Sequence, residues 1–285
     1  SHAPRSTAGD RAPISRPVVR PDETRTSAND AATEVRALVK PVSLPANALH
    51  TYVEPNAPGL LVVGPPYEGT LDQVRDIVRE SPATVLGALR VLRHRLEQKR
   101  AEQSLVVSIL SAAQGEGKTA VALRLALTLA EAERARVVII EGHLARPQLA
   151  SNLRLHVPEE MGLTTQLRRR MNGHDGAWNL VRIGASVFAM VEPDPTHVFP
   201  ETLHSLWFPA LIRELKSAYD YVLIDGCPVL DSGDANVLEE VSDVVVLVAR
   251  AGQTTGGMVA DTVRRIGERR VFGLVLNDEP PRSRT

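Results

Sequence analysis

A glycine-rich segment near the middle of the chain has the composition needed to bind phosphate groups. Residues 111–119 read Ser-Ala-Ala-Gln-Gly-Glu-Gly-Lys-Thr and lie between an apolar run and a helix-forming stretch. Gly115 and Gly117 allow the backbone to turn its N–H groups toward phosphate oxygens, and the following helix adds the positive end of its dipole. In such loops the lysine, here Lys118, reaches the β- and γ-phosphates, and the hydroxyl, here Thr119, ligates Mg²⁺. The sequence therefore predicts a phosphate-binding loop (P-loop) for a nucleoside triphosphate.

A carboxylate at the end of another apolar run supplies the second part of such a site. Asp225 directly follows residues 221–224, which read Tyr-Val-Leu-Ile. Ligands of open parallel sheets bind at the carboxyl ends of the strands, where this side chain would lie. We predict that Asp225 holds Mg²⁺ through water, beside Thr119.

Apolar runs that alternate with helical patterns indicate the framework that would position these groups. Strands that are apolar on both faces and alternate with helices are typical of a parallel sheet covered on both sides. The expected fold class is α/β, a doubly wound, mostly parallel sheet flanked by helices, as in P-loop NTPases. The strands are predicted at 105–110, 137–140, 221–224, 244–248 and 272–276, and the helices from residue 81 onward and at 119–132, 207–218 and 258–268.

The composition of the chain changes near residue 70. Half of the 20 prolines precede that position, where the apolar residues come in short runs. Such a segment buries too little apolar surface to offset the entropy lost on ordering. We predict a disordered, proline-rich extension over residues 1–70, with a possible docking arm that begins near residue 46 and holds one short strand. Residues 71–285 are predicted to form the P-loop domain.

Charge and cysteine content exclude several classes of protein. The chain has 33 Lys and Arg against 34 Asp and Glu, a formal charge of −1, which argues against a nucleic-acid partner bound through bulk charge. Its one cysteine cannot form an internal disulfide and suits a reducing cytosol. No apolar run approaches the roughly 18 residues of a membrane span. We expect a soluble, cytosolic chain.

Two segments resemble the motifs of a known family. Residues 113–119 and 219–225 are similar to those of the bacterial tyrosine kinases of exopolysaccharide assembly, within the class that contains the MinD and ParA positioning ATPases. Ala113 lies where the positioning ATPases usually carry lysine, which favours the kinase branch. The similarity covers roughly residues 80–278 and includes segments 225–235, 250–254 and 273–277.

This resemblance implies ATP and Mg²⁺ as cofactors. It implies Lys118, Glu141 and Asp225 as catalytic residues, with Thr119 and Asp225 at the metal. It also implies a membrane-spanning polysaccharide co-polymerase adaptor as the partner, and thus a cytoplasmic chain recruited to the inner face of the membrane. The residues that it implies as nucleotide contacts are Gln114, Gly115, Glu116, Gly117, Lys118, Thr119, Arg146 and Asn277.

The second phosphate motif of the family, Asp-x-Asp-x-x-Arg-Pro, is altered in this chain. Glu141 and His143 replace the two aspartates, whereas Arg146 and Pro147 are retained. Mg²⁺ prefers oxygen ligands, so His143 is a poor substitute. Because small displacements are costly in phosphoryl transfer, we expect ATP binding to be retained more fully than catalysis.

Two further family features are changed. The helix motif Glu-x-x-Arg-x-x-Arg of the family's ring interface corresponds to Gly87, Arg90 and Arg93, so the arginines are available for self-association or for a different partner. No tyrosine follows residue 221, so the family's C-terminal tyrosine acceptors are missing here. Tyr219 and Tyr221 flank a core strand and are interpreted as packing residues.

The sequence favours an ATP-binding protein of the kinase type whose phosphoryl transfer is impaired or specialised, and it leaves open whether the chain is an enzyme. One alternative is a catalytically inactive, nucleotide-gated regulatory module. The other is a positioning ATPase similar to MinD and ParA.

Overall fold

The computed structural model describes residues 51–54, 57–64, 70–100, 103–131, 135–193, 196 and 199–278. Most of the predicted N-terminal extension, residues 1–50, lies outside these ranges, as does Tyr67.

The described strands form one sheet in the order β1-β2-β5-β6-β4-β7-β3-β8-β9. Neighbouring strands are parallel, except that β1 pairs with β2 and β5 with β6 in antiparallel fashion. The strands are β1 Thr51–Glu54, β2 Ala57–Val63, β3 Leu105–Ser111, β4 Val137–Glu141, β5 Trp178–Arg182, β6 Val187–Met190, β7 Tyr221–Pro228, β8 Val244–Arg250 and β9 Val271–Asn277.

Helices cover both faces of this sheet, so the predicted doubly wound α/β class is confirmed. One apolar cluster joins α1, α2, α3 and α4 to one face, and a second joins α5, α6, α7 and α8 to the other. The helices are α1 Thr70–Arg79, α2 Ala83–Arg100, α3 Lys118–Leu129, α4 Leu149–Asn152, α5 Leu163–Met171, α6 Trp207–Ala218, α7 Asp234–Glu240 and α8 Gly256–Ile266.

The central strands β3 and β4 are buried because other strands flank them on both sides and helices cover both faces of the sheet. All seven residues of β3 and all five of β4 are buried. The predicted strand at 272–276 forms as β9, but it is an edge strand, and Leu274 and Leu276 are half exposed. The apolar composition of β9 therefore does not mean that the strand is buried on both faces.

The N-terminal part of the described chain differs from the expected disordered extension. Residues 57–63 form β2, which pairs with β5, and β1 pairs with β2 in turn. Leu60 and Val62 are fully buried, which offsets the entropy of ordering this segment. Glu54 is buried and forms an ion pair with Arg136, with 2.6 Å between Oε2 and Nη2. Two strands thus occupy the region where one short strand was expected.

Candidate functional site

Three neighbouring strands bring the predicted site residues to the same edge of the sheet. The P-loop connects β3 to α3, and β7 lies between β3 and β4. Glu141 at the end of β4 lies opposite Asp225 in β7, and Asp225 lies opposite Ile109 in β3. The loop lysine and the two carboxylates therefore meet at the carboxyl ends of the strands, as predicted for this sheet type.

The P-loop has the backbone conformation that its glycines allow. Gly115 has φ of 78° and Gly117 has φ of 89°, a region that glycine adopts without a steric penalty. No side chain caps the first turn of α3, so its N–H groups face the loop as an anion-binding end. A Cβ on Gly117 would lie 2.0 Å from Nδ2 of Asn277, which donates a hydrogen bond of 3.0 Å to the carbonyl of Glu116.

Contacts from a distant part of the chain hold this loop in place. The buried carboxylate of Glu116 accepts the N–H of Ala113 at 3.0 Å and the hydroxyl of Thr254. Arg250 donates to the carbonyl of Gly115 at 3.3 Å and forms an ion pair with Asp278 at 2.8 Å. The side chain of Glu116 therefore positions the loop, and a contact of this residue with a nucleotide remains a prediction.

The side chain of Lys118 is buried beside the carboxylates. Its Nζ donates to Oγ of Ser111 at 2.9 Å. Burial lowers the pKa of Lys118, and the nearby Asp225 partly offsets this effect. Ser111 thus holds the lysine at the floor of the loop, a role that the sequence analysis missed although a polar residue ends a largely apolar strand.

Thr119 and Asp225 lie together, as the predicted metal-binding pair requires. Burial raises the pKa of Asp225 to about 7, and a hydrogen bond with Thr119 and the charge of Lys118 oppose that rise. Oδ1 of Asp225 is buried and has no hydrogen-bond partner among the described residues. A hydroxyl and a partnerless carboxylate oxygen are hard donors, so this pair fits Mg²⁺.

Glu141 has a different environment from that expected of a catalytic carboxylate. Its Oε2 accepts the N–H groups of Gln148 at 2.9 Å and Leu149 at 2.8 Å, at the start of α4. Burial, and then the neighbouring charge of Asp225, raise the pKa of Glu141 well above its usual range. Oε2 is therefore committed to the backbone at the start of α4, whereas Oε1 is buried and has no hydrogen-bond partner among the described residues.

The second loop also carries His143 and Arg146. Burial, followed by the charge of Lys118, lowers the pKa of His143 to about 4, so the imidazole is neutral at pH 7. Arg146 donates to Oε1 of Gln114 at 2.7 Å and thereby links this loop to the P-loop.

The arginines of the predicted self-association helix α2 bind within their own chain. Arg90 contacts Oε1 of Glu131 at 2.6 Å, and Arg93 contacts Oε2 of the same carboxylate at 2.7 Å. The hydrogen bond from Arg90 is the main cause that lowers the pKa of Glu131 to about 2. Self-association through this helix remains a prediction. Tyr219 and Tyr221 are 2% and 1% exposed, which confirms their interpretation as packing residues.

No helix in the described part of the chain combines the length and the apolar character required to cross a bilayer.

Comparison with known proteins supports the resemblance inferred from the motifs. No protein-family model matches the chain. The tyrosine-protein kinase YwqD of Bacillus subtilis is 29% identical over 175 residues, which cover 60% of this chain and 71% of the relative. The tyrosine-protein kinase CpsD of Streptococcus agalactiae is 25% identical over 180 residues, which cover 62% of this chain and 76% of the relative.

A solved kinase domain shares the fold. The kinase domain of the Escherichia coli tyrosine kinase ETK matches with a TM-score of 0.59 and 25% identity, over 70% of this chain and 78% of that domain. The predicted similarity to bacterial tyrosine kinases and the predicted P-loop NTPase fold are both confirmed.

Proposed function

We propose that this relative of the bacterial tyrosine kinases binds ATP with Mg²⁺ at its P-loop, and that its phosphoryl transfer is weak or specialised. The observation that carries the proposal is the preformed loop with Lys118, Thr119 and Asp225 at one point. Mg²⁺, when bound, would neutralise the charge of the phosphates.

Different residues of the chain would contact different parts of a bound triphosphate. Backbone N–H groups of Gly115 to Gly117 and the first turn of α3 would bind phosphate oxygens. Lys118 would move from Ser111 to the phosphates, a short change for a flexible side chain. Thr119 and Asp225 would hold the metal, and Asn277, beside the loop, would contact the nucleotide.

Weak transfer is proposed because the carboxylate of the second loop, Glu141, is buried and one of its oxygens is bound to backbone N–H groups. Oε2 of Glu141 accepts the N–H groups at the start of α4, and burial raises the pKa of the carboxyl group, which disfavours its ionised form. Only the ionised form is an effective general base or metal ligand, so this environment disfavours both roles. His143, which is neutral, can accept or donate a hydrogen bond but does not replace an anionic oxygen.

The second candidate function is a nucleotide-gated regulatory module without turnover. The commitment of one oxygen of Glu141 to α4 favours it, since this carboxylate then acts in part as a structural group while the binding loop is kept. In either case we propose, from the family resemblance, a cytoplasmic chain that works with a membrane-spanning polysaccharide co-polymerase adaptor at the inner face of the membrane. A positioning ATPase similar to MinD and ParA is the least supported alternative, because Ala113 stands in place of lysine.

Two measurements on the full chain test these proposals. A ligand at 100 times its Kd adds about 2.7 kcal/mol to the free energy of unfolding, so Mg²⁺–ATP should raise the melting temperature. Lys118→Ala should lose this shift, and Lys99→Ala, at an exposed position of α2, should keep it. The absence of any shift in the wild type would reject both candidate functions.

Incubation with γ-labelled ATP then separates the two functions. Labelled protein or ADP above the level of the Lys118→Ala variant supports the enzyme. Binding without either product supports the regulatory module.

A further inference from the structure

An exposed surface that combines leucine and arginine lies where α5 ends and α6 begins. Leu206, directly before the first residue of α6, is 89% exposed, the largest value among the large apolar side chains of the described residues. Met171, the last residue of α5, is 49% exposed. Single exposed apolar residues are common on proteins, so the surroundings of these two decide whether they have a role.

Three consecutive arginines precede Met171, and one of them contacts the tryptophan that follows Leu206. Residues 168–170 form the last turn of α5. The guanidinium of Arg170 lies over the rings of Trp178, at 4.7 Å, and Trp207, at 5.6 Å. Met171 follows Arg170 and Leu206 precedes Trp207, so the two apolar residues flank this contact. We call residues 168–171, 206 and 207 the arginine–leucine surface.

Aromatic contacts position two of the three arginines on this surface, Arg168 and Arg170. The guanidinium of Arg168 lies 3.7 Å from the ring centroid of Phe199, and its side chain remains exposed. Arg170 also donates to the carbonyl of Gly176 and lies 3.7 Å from the carboxylate of Asp175. Positions fixed in this way lose little side-chain entropy on binding an anion.

Two exposed arginines supply the positive charge of this surface. Asp175 is paired with Arg170, Glu214 accepts the indole N–H of Trp178 at 3.1 Å, and Glu201 is an exposed acid in the 3₁₀ turn Pro200–His204. Arg168 and Arg169 are both exposed on the same helical turn. Arginine binds phosphate groups through two parallel hydrogen bonds, so a partner with phosphates matches these cations.

The exposure of Leu206 distinguishes between kinds of partner. A leucine that is 89% exposed protrudes from the surface and does not line a groove. Cations at the end of α5 would also be explained by the helix dipole, but the dipole does not explain the leucine. A protruding apolar side chain beside tryptophan and arginine suits a bilayer, since the leucine enters the acyl region and the arginines bind headgroup phosphates.

We propose that the arginine–leucine surface binds an anionic lipid bilayer directly. This binding would be additional to any membrane-spanning partner and does not depend on the nucleotide site. It would orient the end of α5 and the start of α6 toward the membrane.

Co-sedimentation of the full chain with lipid vesicles tests this proposal. One vesicle preparation contains phosphatidylglycerol and phosphatidylcholine in about equal parts, and the other contains phosphatidylcholine alone. Binding is expected to the anionic vesicles only and should weaken with added salt. Arg169→Ala should lower the partition coefficient about fivefold, and Leu206→Ser about tenfold.

Val91→Ser is the matched control, because Val91 is 57% exposed on α2, outside this surface. It should bind as the wild type does, and all variants should have the wild-type melting temperature to within a few degrees. The proposal is overturned if the wild type fails to bind anionic vesicles, or if Leu206→Ser and Arg169→Ala bind them as tightly as the wild type does. It is equally overturned if Val91→Ser weakens vesicle binding as much as those two substitutions. It is also overturned if Leu206→Ser abolishes self-association of the chain without altering vesicle binding.

Discussion

The two loops that meet at the candidate site differ in how their polar side chains are used. At the P-loop, Lys118 donates to a serine hydroxyl, and Asp225 of β7 is bound to a side chain, Thr119, and keeps one partnerless oxygen. At the second loop, Glu141 also keeps one partnerless oxygen, but its other oxygen accepts two backbone N–H groups, and His143 is neutral. We therefore expect substitutions in the second loop to change turnover while leaving ATP binding intact, whereas substitutions in the P-loop should weaken both.

The largest effect is expected from Gly117→Ala in the P-loop. The new Cβ would lie 2.0 Å from Nδ2 of Asn277, at a φ of 89° that alanine rarely adopts. We expect ATP affinity to fall about 100-fold, since displacement of the loop removes several backbone contacts with the phosphates. Equilibrium dialysis measures the affinity. Gly87→Ala is the control, because its Cβ would meet nothing within 4 Å and should leave affinity unchanged.

The second effect is on stability and comes from Asp225→Asn. The pKa of Asp225 is about 7 in the folded chain and near 3.8 when unfolded, so the folded state binds more protons between these values. Stability therefore falls as pH rises through this window, and above pH 7 the folded chain holds a buried charge. The asparagine variant should lack this loss and be more stable at pH 8 by on the order of 2 kcal/mol. Urea unfolding at pH 5 and pH 8 checks this, and equal pH slopes for both proteins would contradict the assigned pKa.

The third effect tests the second loop. His143→Asp restores an anionic oxygen near Lys118, and we expect turnover of labelled ATP to rise about tenfold with little change in ATP affinity. His174→Asp, an exposed position beyond the site, should have no effect. Unchanged turnover in His143→Asp would show that position 143 does not limit the reaction.

The smallest effect is expected from Thr254→Ala. This change removes the hydroxyl that binds Glu116 and accepts the N–H of Arg250 at 2.8 Å. Loss of one support of the P-loop should weaken ATP binding about fivefold, the equivalent of one hydrogen bond. Thermal-shift titration measures the change, and Ser217→Ala on α6 is the control. An affinity equal to that of the wild type would mean that Glu116 holds the loop without Thr254.

The sequence predicted the P-loop, Asp225 and the central strands because local patterns specify them. Continuous apolar runs predict β3, β4 and β7, and the glycines predict the loop between β3 and α3. Strands β1, β2, β5 and β6 were not predicted in this arrangement, since they are short and depend on partners far along the chain. The same limit applies to Glu131, which binds arginines 41 and 38 residues away.

The capping role of Glu141 was also beyond prediction from the sequence. Its acceptance of the N–H groups of Gln148 and Leu149 depends on how residues 142–147 turn back toward β4. A family motif assigns the position a catalytic role, whereas the structure commits one of its oxygens to the backbone.

Calorimetric titration of ATP into the full chain, with Mg²⁺ and with a chelator in its place, tests whether the P-loop binds ATP together with a metal. We expect a saturable isotherm with one site per chain in Mg²⁺, and much weaker binding in the chelator, because Thr119 and Asp225 would then hold no metal. The absence of saturable heat in both conditions, or the same affinity in both, would contradict this expectation.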